Sequence, residues 1–106
     1  MARFSLEDLE QIIADREKST SETSYTKSLL LAGTERIAKK FGEEAVEAVI
    51  AAVQGDVEGL RQEGADVLFH FLVLVKSRNI SLESILLVLA ARTAQSGIAE
   101  KKSRKK

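Results

Sequence analysis

Four carboxylates stand at spacings that suit a metal site. Glu44 and Glu47 form one pair, within Gly42-Glu43-Glu44-Ala45-Val46-Glu47, and Glu63 and Asp66 form the other. Each pair has i, i+3 spacing, which on a helix turns both acids to one face. Gln54-Gly55-Asp56, between the pairs, reads as a turn. Glu47 and Glu63 are each eight residues from Gly55, and Glu44 and Asp66 are each eleven. An antiparallel hairpin folded at Gly55 therefore brings all four to one level, about 12–16 Å from the turn at 1.5 Å per residue. Acids that close repel one another, and a divalent cation is the simplest relief. The donors are all oxygen, which points to Mg²⁺.

The elements that must position these acids are helices. The chain has no proline and only 5% aromatic residues, a composition that favours an all-α fold over a sheet. Leu6, Leu9, Ile12 and Ile13 recur at helical spacing behind Ser5, a candidate N-cap. Residues 18–24 are polar and rich in hydroxyls and read as a loop. Ser24-Tyr25-Thr26 then leads into Leu29-Leu30-Leu31, which Gly33 stops. Thr34 is expected to cap a long helix ending near Gln54, and Asp56 a second ending near Arg78. Asn79 suits the left-handed position that closes a helix. Ser81 is expected to cap a last helix through Leu82, Ile85, Leu86 and Leu89, ending near Ala94. The architecture expected is a bundle of four to five helices in one domain over residues 1–95. A basic, mobile tail follows over residues 96–106.

The surroundings of the acids argue against a solvated surface. On a wheel of residues 34–54, Ile37, Phe41, Ala45, Ala48 and Ala52 cover one side, and Val46, Val49, Ile50 and Val53 cover another. Only a narrow strip is left for Arg36, Lys40, Glu43, Glu44 and Glu47. The next helix carries Glu63, Asp66 and His70 on a similar stripe within the apolar run from Val67 to Val75. Such helices are expected to be buried, and buried acids must be paired, protonated or bound to metal. Gly64 lies between Glu63 and Ala65, where a close backbone approach near the metal would account for a residue of poor helix propensity.

Other residues have two readings each. His70 is one turn beyond Asp66 and is either a core histidine satisfied by that carboxylate or a metal ligand. Lys39 and Lys40 either bind phosphate or pair with Glu43 and Glu44 at i, i+4. Tyr25 is either a core plug or a stacking group. The Ile85-Leu86-Leu87-Val88-Leu89 run is apolar all round and needs partners on several sides, a physical reason to expect an assembly of more than one chain.

Bulk composition narrows the classes further. The chain has 106 residues, 30% of them charged, and a formal net charge of zero, so no general attraction to nucleic acid is expected. It has no cysteine, which excludes a disulfide framework and thiolate metal sites and fits a reducing compartment. No apolar segment is long enough to span a bilayer, so a soluble, cytoplasmic protein is expected.

Taken with their neighbours, the acids resemble those of the all-α nucleotide pyrophosphohydrolases, the MazG-like and dimeric dUTPase-like group. Within it the chain is similar to the phosphoribosyl-ATP pyrophosphatase family of histidine biosynthesis. The resemblance covers nearly the whole chain and rests on several segments. These are Thr23-Ser24-Tyr25-Thr26; Gly33-x-x-x-Ile37-x-Lys39-Lys40-x-Gly42-Glu43-Glu44-x-x-Glu47; Ala65-Asp66-Val67-Leu68-Phe69-His70; and Ser81-Leu82-Glu83. Arg92-Thr93, Ser96-Gly97 and Glu100-Lys101 extend it. Two positions depart from the pattern: Thr34 stands where the family usually has proline, and Gly64 where a better helix former is usual.

The resemblance implies Mg²⁺-dependent hydrolysis of phosphoribosyl-ATP to phosphoribosyl-AMP and pyrophosphate, with cleavage of the α–β phosphoanhydride. Glu44, Glu47, Glu63 and Asp66 are expected to hold the metal, with Glu43 and Glu47 also serving catalysis. Lys40 and Lys39 are expected to neutralise phosphate. Ser24, Tyr25 and Thr26 are expected at the ribosyl-phosphate end, and a homodimer is implied. Two rival readings remain: a house-cleaning nucleoside triphosphate pyrophosphatase using the same acids, and a non-catalytic helical dimerisation module, whose mark would be exposed, salt-bridged acids with no response to magnesium.

Overall fold

The computed structural model describes residues 3–19 and 24–94. Thr23 and the other residues of 20–23, the expected tail, Ser96-Gly97 and Glu100-Lys101 lie outside the described residues. Five helices follow in order: α1 (Leu6–Glu17), α2 (Tyr25–Ala32), α3 (Thr34–Val53), α4 (Val57–Ser77) and α5 (Leu82–Thr93). No strand occurs among the described residues, so the fold is all-α as the composition predicts. None of these helices is long and apolar enough to cross a membrane.

Helix boundaries fall where short polar side chains can satisfy free backbone groups. Ser5 Oγ accepts from Asp8 N–H at 3.1 Å, and Asp8 returns the bond to Ser5 N–H at 2.9 Å, a complete capping box. Ser24, Asp56 and Ser81 cap α2, α4 and α5 through bonds from Lys27, Gly59 and Ser84 N–H. Each such cap stabilises its helix by roughly 1 kcal/mol.

Thr34 does not cap α3, contrary to the sequence expectation. Gly33 holds that position at φ 99°, ψ 170°, accepting from Ile37 N–H while its own N–H closes α2 on Leu29 O. A side chain is disfavoured at that φ, so one glycine both ends α2 and starts α3. The Thr34 hydroxyl is turned instead to Ser77 Oγ at 2.9 Å, tying the start of α3 to the end of α4.

The turn expected at residues 54–56 joins α3 to α4. Gly55 takes φ 73°, and Asp56 N–H reaches back to Ala51 O at 2.9 Å while Gly55 N–H bonds Ala52 O. This doubly bonded left-handed stop reverses the chain within three residues. Asn79, at φ 59°, closes α4 with the same pair of bonds, from Ile80 to Val75 and from Asn79 to Lys76.

The hairpin of α3 and α4 is the main packing unit, and α1 and α2 lie against it. The core is Ile13, Leu29, Ile37, Leu72, Val73 and Leu82, with Leu9, Leu30, Phe69 and Phe71 packed on its edge. Burying each of these aliphatic side chains is worth about 1.5–3 kcal/mol. Glu10 Oε2 accepts from Leu82 N–H at 2.8 Å and fastens the start of α5 to α1.

The wheel expectation of burial all round α3 and α4 does not hold in the single chain. Val46, Val49, Ile50 and Val53 are exposed, Val53 by 84%, as are Val57, Leu60 and Leu68 on α4 and Leu86 to Leu89 on α5. One chain has too few helices to cover both apolar sides of the hairpin. The Gly64 expectation also fails: a Cβ built there meets no atom within 4 Å, so no close approach requires glycine.

Candidate metal centre

The two acid pairs meet because α3 and α4 run antiparallel from a tight turn. Glu44, Glu63 and Asp66 each offer a carboxylate oxygen, and these oxygens lie within 4.8 Å of one another. Glu44 and Glu63 are half-buried and Asp66 is exposed, so the cluster opens to solvent on one side. Oxygens around an octahedral ion at about 2.1 Å are roughly 3–4 Å apart, so small rotamer changes bring these three into range.

Glu63 is the centre of the cluster. Its Oε2 is enclosed and has no hydrogen-bond partner. The neighbours of Glu63 are acceptors rather than donors. Glu47 beside it is the largest cause, burial the next and Glu44 the third, of a carboxyl pushed up to about 7 from its ordinary 4.5. A cation satisfies this demand directly, as it accepts lone pairs that no donor reaches and cancels the repulsion among the carboxylates. The hard, all-oxygen donor set suits Mg²⁺ and excludes a thiolate-type site. Glu47 therefore stands against Glu63, next to the group of three. Glu43 is at the rim, with Lys40 Nζ 3.8 Å from its carboxylate.

His70 departs from the sequence reading. It is 5% exposed, but it bonds the main chain of Asp66 and not the carboxylate: Nδ1 lies 2.8 Å from Asp66 O. That carbonyl is the i−4 acceptor the ring meets by turning back along its own helix. Nε2 lies 3.0 Å from Tyr25 Oη. Tyr25 also stacks on Phe69, with ring centroids 6.1 Å apart at 22°. The first residue of α2 is thus tied to the turn of α4 that carries Asp66.

The remaining expected site residues divide. Tyr25 is half exposed and, with Lys40, lines a cleft of about 250 Å³ between α2 and α3. Ser24 caps α2 at the mouth of that helix. Thr26 is 1% exposed, with an unpaired buried hydroxyl, and faces the core. Lys39 is exposed and lines neither this cleft nor one of about 330 Å³ beside Glu47 and Glu63. Arg36, which sequence reasoning placed on the acidic strip without a role, lines the cleft with Tyr25 and Lys40.

A helical hairpin with carboxylates converging from both arms, in an all-α chain, defines the MazG-like class of pyrophosphohydrolases. The model of the family described as phosphoribosyl-ATP pyrophosphohydrolase matches residues 6–93, and the chain belongs to that family. It is 58% identical over 106 residues to "Phosphoribosyl-ATP pyrophosphatase 1" of Rhodopseudomonas palustris, covering 100% of this chain and 99% of that protein. Over 105 residues it is 54% identical to the protein of the same name from Bradyrhizobium diazoefficiens, covering 99% of each. Over 104 residues it is 53% identical to "Phosphoribosyl-ATP pyrophosphatase" of Rhizobium johnstonii, covering 98% of this chain and 97% of that one.

Proposed function

We infer that the chain hydrolyses phosphoribosyl-ATP to phosphoribosyl-AMP and pyrophosphate, the second step of histidine biosynthesis, with Mg²⁺ as its cation. The carrying observation is the convergence of Glu44, Glu63 and Asp66 within 4.8 Å in a member of this family. When bound, the cation supplies charge neutralisation for the triphosphate and activation of water. Glu44, Glu63 and Asp66 are the residues that would hold it. Without it, the same acids would repel the substrate.

The chain's own groups supply the rest. Glu47, exposed beside Glu63, takes the proton that the attacking water must lose, and Glu43 at the rim orients it. Lys40, one turn before Glu44, neutralises phosphate oxygens, and Lys39 contributes at longer range. Ser24 shapes the start of α2 and Tyr25 forms a wall of the cleft. Thr26 supports that wall from the core. The cysteine-free composition suits reaction in the cytoplasm.

The test is pyrophosphate release from phosphoribosyl-ATP, dUTP, dCTP and ATP, with and without Mg²⁺. Preference for phosphoribosyl-ATP with full dependence on Mg²⁺ supports the assignment. Preference for dUTP or dCTP moves the chain to the house-cleaning group, and no release at all leaves the dimerisation module.

A homodimer is part of the same proposal. The exposed apolar residues of α3, α4 and α5 form the surface a second copy would cover. Sedimentation as a monomer at micromolar concentration would contradict it.

A further inference from the structure

The cleft of about 330 Å³ beside Glu47 and Glu63 leads from the acids to the turn between α3 and α4. Ile50 and Ala51 give it an apolar side, and Gln54, Asp56 and Gly59 line its far end. Gln54 is seven residues beyond Glu47 on the α3 side, and Asp56 is seven before Glu63 on the α4 side. The far end therefore lies about 10 Å from the level of these acids. The charged side chains that line the cleft are all carboxylates: Glu47, Asp56 and Glu63.

Asp56 caps α4, and that task occupies only one of its oxygens. Oδ1 accepts from Gly59 N–H at 2.9 Å, while Oδ2 has no hydrogen bond or ion pair among the described residues. A Cβ on Gly59 would collide with this carboxylate, so glycine there leaves the group room to lie against the first turn of α4. Capping alone does not call for glycine. The residue three beyond a cap is ordinarily a good helix former, often Glu or Gln.

Charge sets the direction of a nucleotide bound at the acids. Lys40 stands on one side of them and Asp56 on the other. The β- and γ-phosphates turn to the cation, and the ribose and purine enter the carboxylate-lined cleft, whose length they match. The adenine of ATP is neutral and gains little from a carboxylate there. Phosphoribosyl-ATP carries its second ribosyl group on N1, and alkylation of N1 makes the ring basic enough to take up a proton near neutral pH. The protonated ring is a cation that donates from N6, and a carboxylate oxygen with no other partner is its natural acceptor.

We propose that Asp56 binds the N1-ribosylated adenine of phosphoribosyl-ATP, accepting from its protonated N6 edge through Oδ2, and so separates this substrate from ATP. The proposal rests on the function inferred above and gives the capping residue of α4 a second task, purine specificity. The ring packs on Ile50 and Ala51, at the margin of the apolar surface that a second copy would cover. Its N1 ribosyl group leaves the cleft at the turn, on the other side of the acids from Lys40. That direction departs from the ribosyl-phosphate end that the resemblance implies at Ser24, Tyr25 and Thr26.

The experiment compares wild type with Asp56→Asn and Asp56→Ser, which remove the charge and keep a capping side chain. The probes are α,β-methylene ATP, which cannot be cleaved at its α–β link, and the same molecule methylated at N1. Their dissociation constants are measured by calorimetry with Mg²⁺, and unfolding scans follow the fold. A hydrogen bond between charged groups predicts that wild type prefers the methylated probe by about 10- to 100-fold. Both variants should lose that preference, bind the unmethylated probe much as wild type does, and remain folded. Equal affinity of wild type for the two probes, or a preference that survives in either variant, would overturn the proposal. Binding of these probes needs no turnover. A preference that depends on Asp56 in a chain that fails to hydrolyse phosphoribosyl-ATP would therefore count against the inferred function alone.

Discussion

Tyr25 Oη lies 3.0 Å from His70 Nε2, a bond that joins α2 to α4 across 45 positions of sequence. It matters because the other ring nitrogen is held by Asp66 O, on the residue that contributes to the acid cluster. The wall of the cleft is therefore tied to the turn of α4 that carries Asp66.

Removing the hydroxyl tests this link. Tyr25→Phe leaves Nε2 of a buried histidine without its partner, which should destabilise the fold by about 1–3 kcal/mol. A double-mutant cycle with His70→Asn should show strong non-additivity, since the two residues share one bond. Denaturant midpoints measure both, and additive losses would mean the bond contributes nothing.

The raised Glu63 carboxyl makes a prediction about pH. The folded, metal-free chain keeps this proton up to about pH 7, whereas the ordinary value is 4.5. The folded state thus binds more protons between those values, and the contribution of this group to stability is lost as pH rises through that window. Thermal scans without metal should show a decline from pH 4.5 to 7 that Glu63→Gln reduces. Mg²⁺ competes with the same proton, so its affinity should weaken below pH 7 in wild type. Matching pH profiles for wild type and Glu63→Gln would contradict the assignment.

Gly64 gives a prediction of opposite sign to most substitutions. It sits inside α4 with open space where a side chain would go. Gly64→Ala should stabilise the protein by about 0.5–1 kcal/mol through helix propensity and a less free unfolded chain. Calorimetric unfolding checks this. A loss of stability would show that another surface packs closely on this face of α4.

The fold was legible in the sequence wherever its cause was local. Ser5, Asp56, Ser81, Gly55 and Asn79 act within four residues of their own positions, and the helix ends fall where they do. The meeting of the acids was legible because a tight turn makes an antiparallel pair symmetrical about Gly55. The bond from Tyr25 to His70 was not, because it spans two helices that no short-range pattern relates. The Gly33 cap was missed because Thr34 offers the commoner capping side chain, and only the backbone angle of Gly33 reveals the difference. Arg36 stood on the acidic strip without a role, and only the packing of α2 beside α3 shows that it lines a cleft. The burial expected of Val46, Val49, Ile50 and Val53 came from periodicity, which reports an apolar face and cannot say whether the same chain covers it.

The central claim is that Glu44, Glu63 and Asp66 hold the cation on which pyrophosphate release from phosphoribosyl-ATP depends. The most direct measurement is the rate of that release against Mg²⁺ concentration for wild type and Glu44→Gln, with helix content followed by circular dichroism. Loss of even an outer partner of a metal costs about 10–100-fold, so Glu44→Gln should lower the rate by at least about 100-fold and raise the Mg²⁺ requirement, with helix content unchanged. A variant that keeps its helices, its rate and its Mg²⁺ dependence would contradict the account.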